Sequence, residues 1–386
     1  MTIKHLYPSQ RPSLDLNFAR TKRLDPRVDF ERFSVGTYVG NDGLIKTAVD
    51  HEPRFDHDPE TGESLGLLVE ESRTNYALYS ESPSNWSVTA SNGEALPTIT
   101  ANFLDPSGQM NAGRFQGVRA GTGLVRVVFP TSATLPNPYD VIYSVWLKSN
   151  TGANQTIKLY IATASTIVEV TPEWKRFNCP VRTGSSTSEF IALQMDNFTS
   201  QNCDILVWAP QLEVGTFRTS YIPTTSSTVT RAADVTSITG NNFSSWYNQD
   251  EGTIFTKAKM SFALSQSGNF PDVYTSGSFP DRLWAFYFNN GVNRLTVGAD
   301  THSRNLETFT SSPQSFKVAQ ALSNTSLTYS ASKDGGNVLT GSLSKAITNT
   351  SSISISNSAD GAVKHIARLT YYPVRLSDTI LQNLTL

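Results

Sequence analysis

Apolar residues recur at every second position through most of this chain. Val141, Tyr143, Val145 and Leu147 alternate, with Ile142 and Trp146 between them. Val125, Val127 and Phe129 repeat the pattern, as do Ile157, Leu159 and Ile161, then Ile191, Leu193 and Met195. Further on, Ile254, Thr256, Ala258, Met260, Phe262 and Leu264 fall on one face, followed by Trp284, Phe286 and Phe288, and by Leu327, Tyr329 and Ala331. Side chains two apart share a face only in an extended strand. Turn-forming clusters separate the runs: Gly40–Gly43, Asp58-Pro-Glu-Thr-Gly62, Asn289-Asn-Gly291 and Lys333-Asp-Gly-Gly336. Only Leu376–Leu384 reads as a helix, with Ser377 as its N-cap. The fold class is therefore all-β and antiparallel.

At 386 residues the chain exceeds one ordinary core. The spacing divides it into an irregular N-terminal arm with hairpins (1–77), a β-sandwich of jelly-roll type (78–235), a connector (236–250) and a second sandwich (251–386). The arm holds few large apolar residues and is expected to order against the domains after it or against a neighbouring subunit. An oligomer is expected on that ground. Arg20–Arg32 is basic but interleaved with Asp25, Asp29 and Glu31, which predicts a salt-bridged face. A net charge of −2 does not mark the chain as a nucleic-acid binder, and no nucleic-acid partner is expected. No run reaches the ~20 apolar residues of a membrane helix, and the first residues carry no signal-type apolar core, so synthesis in a cytosol is expected. Cys179 and Cys203 read as two small buried residues, paired only if their strands are adjacent.

Catalytic patterns are absent from the sequence. A glycosidase needs two carboxylates about 5–10 Å apart, and Asp250-Glu251 and Glu169…Glu173 are neighbours only by proximity. No Gly-x-Ser-x-Gly elbow occurs. Asp56 and Asp58 share a strand face that His57 does not, with His51 nearby, and could share a metal there, but Thr61 and Gly62 point instead to Asp58 capping a turn. Asp300, Asp334 and Asp360 sit in loops of the kind that bind calcium in lectin-like sandwiches, which makes calcium the candidate cofactor, and turn formation explains these residues equally well. Flat rings stack on sugars, which makes Trp86, Trp246, Tyr247, Trp284 and Tyr287 the carbohydrate candidates. Trp146, Trp174 and Trp208 lie within strand patterns and are assigned to the core.

Two word-like patterns go further. The segment Pro53–Asn75, PRFDHDPETGESLGLLVEESRTN, follows Pro12–Ala19 within RPSLDLNFA. The late words are Asp204-Ile-Leu-Val-Trp-Ala-Pro-Gln-Leu-Glu213, Ser220-Tyr-Ile-Pro-Thr224 and Thr230-Arg-Ala-Ala-Asp234. Together they resemble a group of tailed-bacteriophage virion proteins common among cyanophages, over about residues 10–235, in which the segment leads into a jelly roll similar to carbohydrate-binding modules. The tail, Ile366–Pro373 and Arg375-Leu-Ser377, resembles the end of concanavalin-A/laminin-G-like sandwiches.

The resemblance implies a non-enzymatic structural component of a phage particle, most naturally a tail or fibre adhesin, with a capsid-surface decoration as the alternative. Its partners would be other virion proteins, a host-surface glycan and copies of itself in a trimer, and its place the virion. A polysaccharide depolymerase is the competing class, and a cellular lectin a third. Within Pro53–Asn75 the apolar run Leu65, Leu67 and Val69 is expected to brace the arm against the first sandwich.

Overall fold

A computed structural model describes residues 8–133, 135–136, 139–184, 189–262, 272–276, 284–289, 294–299, 302–308, 312–343, 345–346, 350–356 and 361–386. At 139, 272–276, 284–289, 294–299 and 302–308 only the backbone is described. The fold is all-β, with antiparallel sheets throughout. The chain forms two compact units. One comprises 1–43, 48–72 and 232–386; the other comprises 44–47 and 73–231.

The first unit corrects the expected arm. Its eight-stranded sheet runs Leu339–Ser342, Thr328–Lys333, Gln314–Ser323, Glu251–Phe262, Ala362–Tyr372, Ser64–Glu70, Arg54–His57, with Leu14–Leu16 also on Ala362–Tyr372. The facing seven-stranded sheet includes Asp29–Glu31, Val235–Thr239 and Ser352–Ser356. One core lies between them, built from Leu14, Leu16, Phe18, Leu67, Val69, Ile238, Ile254, Met260, Ile353 and Ile366, among others. The N-terminal strands cannot bury their apolar sides alone, and the C-terminal sheet supplies the missing partner. The connector at 236–250 is likewise not a linker. Val235–Thr239 is a strand inside the second sheet, Gly240–Ser244 a short helix, and Trp246 is buried. Oligomerisation loses the motive that an unpartnered arm gave it.

Local chemistry explains the departures from simple alternation. The Leu14–Leu16 strand does not continue to Phe18, because the Asn17 side chain accepts from the Arg20 N–H at 3.3 Å and starts a one-turn helix, Phe18–Thr21. Gly66 sits at φ +93°, and a Cβ there would lie 2.2 Å from the Ile366 carbonyl oxygen. Only glycine permits that close approach between strands. The C-terminal helix forms at Asp378–Thr385, starting two residues later than expected, with Ser377 extended at the N-cap but making no side-chain cap bond. It rests on Phe255, Ala319, Ala321 and Tyr372 through Leu381, with Leu376 just before it in the same cluster.

The second unit is a two-sheet sandwich. One sheet runs Lys175–Asn178, Tyr139–Ser149, Asn202–Val214, Ala112–Val118, Thr98–Phe103. The other runs Ala164–Val170, Gln155–Ile161, Ile191–Met195, Val125–Phe129, Ser87–Ala90. Strands adjacent in sequence repeatedly fall in different sheets, which is the connectivity of a jelly roll. Phe115, Val127, Val145, Leu159, Leu193 and Val207 fill the space between. Trp146 and Trp208 are buried on the far side of the first sheet, with Tyr221 and Trp174.

Cys179 and Cys203 are free and buried. Burial pushes both thiols up to about 12. Neither should react with a thiol reagent at pH 8 in the folded protein, and both should react in denaturant. Titration with a chromogenic disulfide checks this, and one fast thiol in the native state would contradict it.

Candidate functional site

The family-like words are spent on the fold. In the first unit, Arg54 Nη1 lies 2.7 Å from Glu70 Oε2, and Arg54 Nη2 2.6 Å from Asp234 Oδ2. Arg32 Nη1 lies 3.1 Å from Asp234 Oδ1 and donates through Nη2 to the Val49 carbonyl at 2.7 Å. The Glu70 N–H donates to Asp234 Oδ2 at 2.8 Å. Arg32, Arg54 and Asp234 are shut off from solvent, and Glu70 nearly so. This ion cluster clasps Pro53–Asn75 to Thr230–Asp234. In the second unit the buried Asn75 amide donates to the Ile222 carbonyl and accepts from the Leu212 and Ala77 N–H groups. Gln211 accepts from the Ile222 N–H at 2.7 Å. These residues are internal partners of one another, which leaves them no role toward a ligand.

The sugar candidates are mostly core. Trp86 is 6% exposed, packs edge-on against Phe129 and donates its Nε1–H to the Tyr79 carbonyl. Trp246 and Tyr247 stack with Phe243 and Tyr371, ring centroids 4.5–5.6 Å apart across those pairs. A ring enclosed on both faces has no surface to offer a pyranose. Trp284 and Tyr287 lie on the strand Trp284–Asn289, whose side chains are outside the described set.

The metal candidates have other employment. Asp300 and Asp360 fall outside the described residues. Asp334 is a turn residue at φ +47° that accepts from the Lys317 N–H at 2.7 Å and pairs with Lys333. Asp56 accepts from the Val39 N–H and from His365 Nε2, both at 2.7 Å. Asp58 instead caps its turn through the Glu60 and Thr61 N–H groups. The two carboxylates therefore do not converge. Among the described residues no group of three His, Cys, Asp or Glu side chains is placed to hold a metal. A groove of about 340 Å³ in this unit mixes Lys257, Lys259 and Lys317 with Asp58, Glu63 and Asp334, and so carries no net chemical bias.

The brace residues are placed differently from expectation. Leu67 and Val69 are fully buried, opposite Ile366 and Lys364 on the Ala362–Tyr372 strand. They belong to the core of the first unit and brace the N-terminal segment to the C-terminal sandwich, whereas the jelly roll was expected. Leu65 is half-buried.

The outer face of the jelly roll's five-stranded sheet has a different character. Strand register places Thr89, Arg126, Gln194, Lys158 and Ile167 in one row across it. The adjacent row is Ser87, Val128, Ala192, Tyr160 and Ser165. These are the outward members of strands whose inward members are Val125, Val127, Ile157 and Leu159. Exposed rings edge the face: Phe190 at 39% and Phe198 at 69%. Exposed large apolar side chains beside fixed polar groups mark binding surfaces.

The polar groups form one chain. Lys158 pairs with Asp196. The Gln194 amide donates to Asp196 Oδ2 at 3.1 Å, and Gln194 Oε1 accepts from Arg126 Nε at 2.7 Å. The Arg126 guanidinium lies 5.3 Å from the Tyr160 ring centre and 5.7 Å from that of Phe190. The Lys158 ammonium lies 5.4 Å from Phe198. Burial works to raise the Asp196 carboxyl, but the Lys158 ammonium, the Phe198 N–H and the Gln194 amide outweigh it and hold it below the usual carboxylate range. Asp196 is therefore a fixed anion at neutral pH, and the chain it anchors is held in place before any ligand arrives.

No family model matches the sequence, and no curated protein matches it. Solved structures do. One is the CBM40 of the Ruminococcus gnavus IT-sialidase bound to alpha2,6 sialyllactose, at 16% identity over 36% of this chain and 84% of that one, with a TM-score of 0.28. Another is the CBM22-1 xylan-binding domain of Paenibacillus barcinonensis Xyn10C, at 12% identity over 38% of this chain and 94% of that one, TM-score 0.27. The Trypanosoma rangeli sialidase in complex with the inhibitor DANA aligns at 8% identity over 75% of this chain and 61% of its own, TM-score 0.31. At these scores the likeness goes no further than β-sandwich architecture.

Sequence reasoning missed this face. Its signal was present as polar residues at the alternate positions of apolar strands, Arg126, Lys158 and Gln194. Only the register shows that the three share a row.

Proposed function

We propose that this chain is a non-enzymatic structural component of a tailed-phage particle, a tail or fibre protein that touches host-surface glycan through the outer face of its five-stranded sheet. The observation that carries the binding half is that face: immobilised polar side chains with exposed rings at the edge, the combination that grips sugar hydroxyls and the flat apolar side of a pyranose. The virion half rests on the resemblance of Pro53–Asn75 and Asp204–Glu213 to tailed-phage proteins. The buried clasp supports a scaffolding role for those words, since it ties the two unit-one segments that flank the jelly roll in sequence into one core.

Immunogold labelling of purified particles tests the assignment. Label on tails or fibres is the expected result. Label over the capsid would favour the decoration alternative, and absence from washed particles would contradict a virion role altogether. Release of reducing ends from host polysaccharide by the purified chain would support the depolymerase alternative instead.

A further inference from the structure

We infer that the outer face of the five-stranded sheet selects carboxylate-bearing saccharides, with Arg126 as the group that recognises the acid. The inference rests on the glycan-binding reading above and narrows it.

Arg126 stands apart from the other charges of the face. Lys158 is neutralised by Asp196. Among the described residues Arg126 has a neutral amide as its one polar partner, Gln194, through Nε, and no carboxylate pairs with it. Among the described residues no hydrogen bond engages the two terminal nitrogens of its fork. Asp196 reaches Arg126 only through the Gln194 amide and is paired with Lys158; Glu169, at the far edge of the sheet, lies three strand spacings away, roughly 14 Å. At that distance an exposed charge is largely screened at physiological salt.

The side chain is also held still. Gln194 fixes Nε, and Gln194 is itself fixed by Asp196. Tyr160 and Phe190, ring centres 6.0 Å apart, both lie within cation–π reach of the guanidinium, on one side of it. A planar guanidinium whose Nε is engaged presents two parallel N–H donors, which match the two oxygens of a carboxylate. A neutral sugar can use those donors only one hydroxyl at a time. Little rotamer freedom remains to be lost on binding, which favours affinity. The exposed Phe190 and Phe198 rings would lie beside the sugar rings that flank the acid.

The test uses the full chain and three probes: an oligogalacturonate, its carboxyl-reduced neutral counterpart and a sulfated galactan oligomer of similar length. Binding is measured by calorimetry and saturation-transfer NMR at two salt concentrations. The oligogalacturonate is expected to bind at least tenfold more tightly than the reduced form, with the sulfated oligomer between them. Arg126→Gln should abolish that preference, and Arg126→Lys should keep part of it while losing most of the discrimination between carboxylate and sulfate. Arg126 is half-buried on the outer face and makes no ion pair among the described residues, so both variants should fold, which thermal unfolding checks. Equal binding of acidic and neutral forms by the native protein would overturn the acid preference and leave the glycan reading standing. A preference that survives Arg126→Gln would overturn the role of Arg126. No binding of any probe at millimolar concentration would overturn both.

Discussion

Asp234→Ala should destabilise the unit that contains it by about 3–5 kcal/mol, the usual cost of removing one partner from a buried ion pair. Asp234 accepts from Arg32, from Arg54 and from the Glu70 N–H, and neither guanidinium reaches solvent. Without the carboxylate, two buried cations lose the counter-charge they share. The pair Arg368–Asp15 is the natural control, because it is 38% and 35% exposed and so contributes about 0–1 kcal/mol. Denaturant unfolding of Asp234→Ala and Arg368→Ala side by side reads the contrast. Equal small shifts would show that the cluster is not the clasp described here. Hydrogen exchange adds location: Asp234→Ala should lose protection along Arg54–His57 and Ser64–Glu70.

Replacing Leu67 and Val69 together with aspartate should prevent folding altogether. Both side chains are fully buried between the two sheets of the first unit. Each substitution forfeits about 1.5–3 kcal/mol of apolar burial and adds the cost of an unpaired carboxylate in an apolar site. The sum exceeds the 5–15 kcal/mol that holds an ordinary domain together only when both charges are present, so each single variant should be soluble but weakened. Leu65→Asp, at a half-buried position, should fold. Expression with size-exclusion chromatography separates these outcomes. A folded, monodisperse double variant would mean that the Ser64–Glu70 strand is not part of the core.

Much of the strand inventory was legible because alternation is local. Ile254 to Phe262 read as one inward face, and Ile254, Ala258, Met260 and Phe262 are core. Trp146 and Trp208 read as interior and are buried. What could not be read was which strand pairs with which. Leu14 lies opposite Tyr371, and Leu67 opposite Ile366, pairings some three hundred residues apart with no local signature. An N-terminal segment with half a core therefore looked like an arm. The aromatic candidates failed for a related reason. Trp86 follows a turn, Pro83–Asn85, which in sequence suggests an exposed loop, yet the turn folds its ring inward against Phe129. The candidate face was hidden in the same way, since alternation shows that Arg126 and Lys158 point outward but not that Gln194 joins them.

The central claim is a division of labour: the family-like words build the scaffold, and the outer face of the five-stranded sheet meets the ligand. Hydroxyl-radical footprinting of the full chain with and without host-surface polysaccharide tests it most directly, because aromatic side chains are the reporters. The account predicts that Tyr160, Phe190 and Phe198 become protected while Phe33, 72% exposed in the other unit, keeps its reactivity. Protection of Phe33 with Tyr160, Phe190 and Phe198 unchanged would contradict it.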